Sequence, residues 1–134
     1  MSQFTFLNNK TVLVTGVSSS DDRFKNIGQA LVELLVENNA QVIAVSRDIK
    51  KCEKAVKHLT EQGLSIVAKQ CDISNHSDVE SLFKWVEETY GSLNYLINNA
   101  GTEGVLEPID QLSLDNIDSV IDINGKGTLY CLKE

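Results

Sequence analysis

The sequence predicts an α/β fold: a doubly wound parallel sheet of about four strands, order 3-2-1-4, with helices on both faces. Two observations predict it. Short apolar, β-branched runs alternate with segments whose apolar residues repeat at helical spacing, so the chain reads βαβαβαβα. That order belongs to a parallel sheet covered on both sides. The strand runs are also apolar with little alternation, as strands buried on both faces require. Right-handed crossovers leave few topologies, and 3-2-1-4 is the favoured one.

The first strand is "TVLVT" (11–15). The loop "TGVSSSDDRFKNIG" (15–28) follows, and past it Ile27, Ala30, Leu31, Leu34 and Leu35 fall at helical spacing. "QVIAVS" (41–46) is a second buried strand, and "DIKKCEKAVKHLTEQG" (48–63) a helix that Gly63 ends. "SIVAKQC" (65–71) is the third strand. Ser74 or Asn75 caps a helix that holds Val79, Leu82, Phe83 and Val86. "LNYLIN" (93–98) is the fourth strand, Pro108 marks a turn, and Ser113 caps a last helix with Leu114, Ile117, Val120 and Ile121. The residues "GKGTLYCLKE" then carry no stop signal, and no fifth strand follows. Doubly wound sheets of this order normally have about six strands. Strand 4 is therefore expected to show an unpaired apolar edge, and residues 1–134 a single domain incomplete at its C-terminus.

With 134 residues and 42% apolar content, the chain has the balance of one globular domain. A net charge of −7 without a basic cluster argues against nucleic acid. No run approaches the roughly 20 apolar residues that cross a bilayer, and "MSQFTFLNNK" lacks the order of a signal peptide. Cys52, Cys71 and Cys131 are odd in number and widely spaced, which suits reduced thiols and a cytoplasmic location. His58 and His76 add no ligand-like spacing, so no metal is expected.

Ligands of such sheets bind at the carboxyl ends of the strands, where the strand order reverses. Four features fall there. Gly16 directly follows strand 1, and Gly28 opens the next helix, whose N-terminal N–H groups attract a pyrophosphate; an ordinary strand–helix turn is the alternative. Strand 2 ends in "VSRD". The position that bonds a ribose 2′-hydroxyl when acidic is Ser46 by register, with Arg47 beside it. An uncharged residue next to an Arg favours a 2′-phosphate, hence NADP(H), with NAD(H) as the second choice. Asp48 is near enough to be the acid but reads as the N-cap of the next helix. After strand 3, Asp72 accepts a bond from an adenine amino group or caps its loop. After strand 4, "NNAG" (98–101) offers small Ala100 and Gly101 for close backbone approach. Asn98 and Asn99 are expected to bond neighbouring loops there, or to form a stiff Asx turn. Asn124 follows Ile117, Val120 and Ile121 on the apolar face of the last helix, so a buried amide with partners is expected. It either bonds sheet backbone or holds a group in a proton path.

Together, "TG…NIG", "SR", "CDI", "LNYLINNAG" and "IDINGKGTLYC", in this order over residues 10–134, resemble the short-chain dehydrogenase/reductase family. The resemblance implies an NAD(P)-binding Rossmann domain and carbonyl/alcohol interconversion by hydride transfer. The substrate would be a small carbonyl or alcohol, and the full-length protein a homo-oligomer. Gly16 and Gly28 match the first and third glycines of the family's cofactor motif, and Asn26 stands where the middle glycine is usual. Lys25 occupies a position often basic in members that use NADP, and Ile27 belongs to the same motif. Asp72 and Ile73 resemble the adenine-pocket pair. Asn98, Ala100 and Gly101 would line the crevice, and Asn124 corresponds to the Asn of the catalytic tetrad.

The sequence departs from the family twice. Gly16 and Gly28 lie twelve positions apart, where the motif Gly-x-x-x-Gly-x-Gly spans six, so Asp21 and Asp22 of the insert must turn away from the phosphates. The tetrad's Ser and its Tyr-x-x-x-Lys pair are also missing: Tyr90, Tyr95 and Tyr130 are followed four places on by Asn94, Asn99 and Glu134. In the family those residues come later in the chain. The sequence thus reads as the cofactor-binding half of a reductase, from a truncated product, a fragment or an incomplete sequence. A non-catalytic nucleotide- or partner-binding module is the alternative. A sugar-nucleotide epimerase is disfavoured by "NNAG" and by Ser46 at the acid's position.

Overall fold

The computed structural model describes residues 4–19 and 23–134, so Asp21 and Asp22 lie outside the described residues. Four strands, β1 (Thr11–Thr15), β2 (Gln41–Ser46), β3 (Ile66–Gln70) and β4 (Tyr95–Ile97), pair in parallel in the order β3-β2-β1-β4. Between them run α1 (Ile27–Glu37), α2 (Ile49–Glu61) and α3 (His76–Tyr90). The expected doubly wound α/β architecture and strand order are what the chain forms.

The parallel sheet divides the core in two. Val12 and Val14 of β1, with Val42 and Ala44 of β2, face Val32 and Val36 of α1 and Cys52, Val56 and Leu59 of α2. Leu13, Ile43 and Val45 face the other way, onto Val79, Leu82 and Val86 of α3. The period-2 alternation of a strand sends neighbours to opposite faces, and both faces here are covered. Burial of a side chain such as Leu13 or Ile43, fully enclosed in this structure, stabilises the fold by roughly 2 kcal/mol relative to exposure.

Helix starts follow the capping residues. The Asp48 carboxylate accepts the Lys51 N–H on α2, and Asn75, rather than Ser74, accepts from Ser77 and Asp78 on α3. Ser113 accepts the Asn116 N–H at the start of α4 (Leu114–Ile121).

Two elements differ from expectation. β4 is shorter than the apolar run 93–98. At its start Thr11 N donates to Asn94 Oδ1 (2.9 Å) and Asn94 N donates to the Thr11 carbonyl (3.0 Å), which ties the strand down before the ladder begins. At its end Asn99 N turns to the Thr15 hydroxyl (3.1 Å). The last helix is not uniform either: after α4 it widens to a π-helical turn over Asp122–Gly127 and resumes as α5 (Thr128–Lys133). Gly127 sits where a Cβ would lie 2.8 Å from the Ile73 side chain, so the wide turn brings backbone against the segment after β3. Among the described residues, no helix is long and apolar enough to cross a membrane.

Candidate functional site

A cleft of about 510 Å³ opens at the carboxyl ends of the strands, where β1 separates β2 from β4. Its floor is a close backbone approach. Gly16 has φ +74°, and a Cβ there would lie 2.6 Å from Ala100 Cα. A Cβ on Gly28 would lie 2.7 Å from the Gly16 carbonyl oxygen. Both positions therefore require glycine, and the start of α1 comes down onto the end of β1. Asn99 locks the seam: its Nδ2 donates to the Thr15 carbonyl (3.0 Å) and the Gly16 carbonyl (3.2 Å). The Thr15 hydroxyl accepts from both Asn99 N and Ala100 N (3.1 and 3.0 Å).

Asn26 replaces a glycine with a capping box. Its Oδ1 accepts Gln29 N (2.9 Å) while its N donates to Gln29 Oε1 (3.0 Å). Its Nδ2 also donates to the Ser18 carbonyl. That bond joins the two ends of the inserted loop, and Ser19 N donates to the Lys51 carbonyl (3.1 Å). The described ends of the loop are thus pinned to each other and to α2.

All the proposed cofactor residues except Lys25 and Asn98 line this cleft: Gly16, Ile27, Gly28, Ser46, Arg47, Asp72, Ile73, Ala100 and Gly101. Lys25 is drawn away, with its Nζ 2.6 Å from Glu33. Asn98 gives its expected place to Asn99, and its own Oδ1 is buried without a hydrogen-bond partner among the described residues. Asp72 performs its capping alternative: Oδ1 accepts from both N and Oγ of Ser74 (3.0 and 2.7 Å). Asp48 caps α2 and lines the cleft as well.

Asn124 corrects another expectation. It is exposed, because the loop after β4 touches this face of the helix without burying it. Its amide still has partners: Oδ1 accepts Thr102 N and Nδ2 donates to the Thr102 carbonyl, both at 2.8 Å. Asn116 does the same work eight residues earlier, accepting Val105 N (3.0 Å). Sequence reading missed Asn116, although its spacing from Asn124 places the two about two helical turns apart on one face. Lys51, also missed, lines the cleft beside Arg47.

Of the cysteines, Cys71 lines the cleft, while Cys52 and Cys131 do not. Burial pushes the Cys52 and Cys71 thiols up to about 12 and Cys131 up to about 11, so none is a nucleophile near neutral pH. His76 gathers with Glu80 and Glu134, but the Lys133 ammonium lies 2.6 Å from Glu134 and 3.4 Å from His76 Nε2, where it supplies the balancing cation itself.

The arrangement suits a dinucleotide. Its glycine turn, the helix N-terminus above it and the open end of β2 are the features by which doubly wound folds hold dinucleotides. Comparison with known proteins agrees. The short chain dehydrogenase family profile matches residues 10–134. An uncharacterized oxidoreductase of Staphylococcus aureus (strain USA300) is 34% identical over 126 residues, which cover 94% of this chain and 51% of that protein. The structure of NAD+-bound xylitol dehydrogenase superposes with a TM-score of 0.84 at 28% identity, over 95% of this chain and 46% of that one. A metagenomic short-chain oxidoreductase in complex with NADP shares the fold, with a TM-score of 0.84 at 24% identity, over 95% of this chain and 55% of that one. The chain thus spans about half the length of the curated relatives it matches. A match this long, over a cleft assembled from the motif residues themselves, means that the chain belongs to the short-chain dehydrogenase family.

Proposed function

We propose that this chain is the cofactor-binding half of an NADP-preferring oxidoreductase that interconverts a small carbonyl compound and its alcohol. The observation that carries the reading is the end of β2. Ser46 and Arg47 line the cleft there, and the nearest acid, Asp48, spends its Oδ1 on the Lys51 N–H (3.2 Å). A guanidinium in the cleft wall, with the nearest carboxylate engaged at the α2 cap, favours a 2′-phosphate over a 2′-hydroxyl. NADP(H), when bound, supplies or accepts the hydride. The residues present do the rest of the binding work. Gly16 and Gly28 admit the pyrophosphate, Ile73 and Asp72 wall the adenine side, and Ala100 and Gly101 let the flat ring lie against backbone. Asn124 holds the segment that follows β4 through Thr102.

These 134 residues contain no Tyr-x-x-x-Lys pair, so they offer no matched general acid for the carbonyl oxygen. The 134-residue chain should therefore bind NADPH and show no carbonyl reduction with it, and measurable turnover would overturn the half-enzyme reading. In the full-length protein, which we place in the cytoplasm as a homo-oligomer, Arg47→Ala should weaken NADPH binding about tenfold while leaving NADH nearly unchanged. Equal losses would remove the case for NADP.

A further inference from the structure

We infer that Lys51, not Lys25, is the second cation that reads the 2′-phosphate of the cofactor. The inference rests on the NADP reading above and assigns a specificity residue within it. The two lysines are in opposite situations. Lys25, the residue the motif points to, lies outside the lining, and its ammonium is 2.6 Å from Glu33 Oε2. The other oxygen of that carboxylate is 2.7 Å from His58 Nε2, so Glu33 is a fixed anchor between α1 and α2 and holds Lys25 on the outer surface. Any contact of Lys25 with the cofactor would require breaking this pair.

Lys51 stands in the cleft wall together with Ser46 and Arg47. Its backbone is held from two directions: its N donates to Asp48 Oδ1 (3.2 Å), and its carbonyl accepts Ser19 N (3.1 Å). Its ammonium is loosely held, 4.0 Å from Asp48 Oδ2 with both side chains half-exposed. A contact that long and that solvated yields readily to a doubly charged phosphate. The backbone of Lys51 is thus fixed in the first turn of α2 while its charge is available, in the same cleft wall as Arg47. The planar guanidinium supplies paired, directional hydrogen bonds, and the ammonium supplies a mobile point charge. The Ser19 bond adds that the inserted loop is tethered to the very residue that carries this charge.

The test compares Lys51→Gln, Lys51→Arg, Lys25→Gln and Arg47→Ala in the full-length protein. Dissociation constants are measured for NADPH, NADH and the fragment adenosine 2′,5′-bisphosphate against 5′-AMP. Lys51→Gln should weaken NADPH and the bisphosphate about fivefold at low salt, with NADH and 5′-AMP unchanged. Lys51→Arg should restore the preference, Lys25→Gln should leave it intact, and about 0.5 M salt should shrink the Lys51 effect. If Lys51→Gln weakens all four ligands alike, the residue is structural and the inference fails. If Lys25→Gln carries the loss instead, the motif position was right and the inference fails. If Arg47→Ala also leaves the preference untouched, the NADP reading falls with it; a loss at Arg47 with none at Lys51 overturns this inference alone.

Discussion

The two sides of the sheet carry similar sequence signals and end in different states. Around β1 and β2 the signals end in burial: every position of β1 is enclosed, and α1 and α2 each bury four residues. Around β4 they are not. β4 has no fully buried position, and α4 buries nothing, although Leu114, Ile117, Val120 and Ile121 repeat as cleanly as Val32, Leu35 and Val36. Leu106, Ile109 and Leu114 are each more than three-quarters exposed (79%, 78% and 77%). Periodicity identifies which face of an element is apolar. It says nothing about what lies against that face, and on the β4 side the loop after β4 touches it at Asn116, Val120 and Asn124 without burying it.

The strongest way to sharpen this contrast is to truncate one apolar residue on each side. Ile43 in β2 is completely buried, so Ile43→Ala should destabilise the chain by about 4 kcal/mol. Leu114→Ala, on the uncovered face, should change stability by less than about 0.5 kcal/mol in the 134-residue chain. Urea unfolding of both variants decides it, and comparable losses would mean that the β4 side is packed in solution. The same exposed surface, next to the open edge of β4, should make the 134-residue chain self-associate. Sedimentation that finds a cooperatively melting monomer would break the comparison outright.

Gly16 sits on the boundary between the two sides. Gly16→Ala would force a side chain into positive φ and press a Cβ to 2.6 Å from Ala100 Cα. A cost of about 3 kcal/mol combines the left-handed strain with overpacking. Because Ala100 and Asn99 hang from the Thr15 hydroxyl, the displaced segment is the one that follows β4. Hydrogen exchange should show faster exchange at residues 99–102 and little change in β2. Uniform acceleration would show that the two sides are one cooperative unit.

How much could be read from sequence follows the same boundary. β1 and β2 begin and end at the expected residues because burial on both faces leaves an unbroken apolar run with polar residues at its ends. The caps Asp48, Ser113 and Asn75 were legible because capping is a short-range rule. What the sequence did not show was governed by distant partners. Lys25 looked like a phosphate contact, but Glu33 lies eight residues on, outside any local spacing rule, and claims it. Asn98 and Asn99 are adjacent and chemically identical, and only the position of Thr15 across the seam selects Asn99. Asn124 was expected to be buried because its face is apolar, yet exposure depends on cover that no residue within that helix supplies.

The smallest predicted effect separates the ties that hold each side. On the β1–β2 side the tie is ionic: Glu33 joins Lys25 and His58. Burial works against its carboxylate, but the hydrogen bonds from Lys25 and His58 outweigh it and hold the pKa below the ordinary Glu value. A folded pKa below the unfolded one gives stabilisation that is present above the unfolded pKa and lost as pH falls through the folded one. Glu33→Gln should therefore cost about 1 kcal/mol at pH 7, and the gap to the native protein should close as pH falls below 4.5. On the β4 side the ties are the neutral amides of Asn116 and Asn124. Asn124→Ala should also cost about 1 kcal/mol, but by the same amount across that pH range, because an amide carries no charge to titrate. Thermal melts of both variants from pH 7 to pH 4 test the pair. A flat Glu33→Gln profile would show that the carboxylate is held by its geometry alone, and a sloping Asn124→Ala profile would show that a titrating group supports the loop after β4.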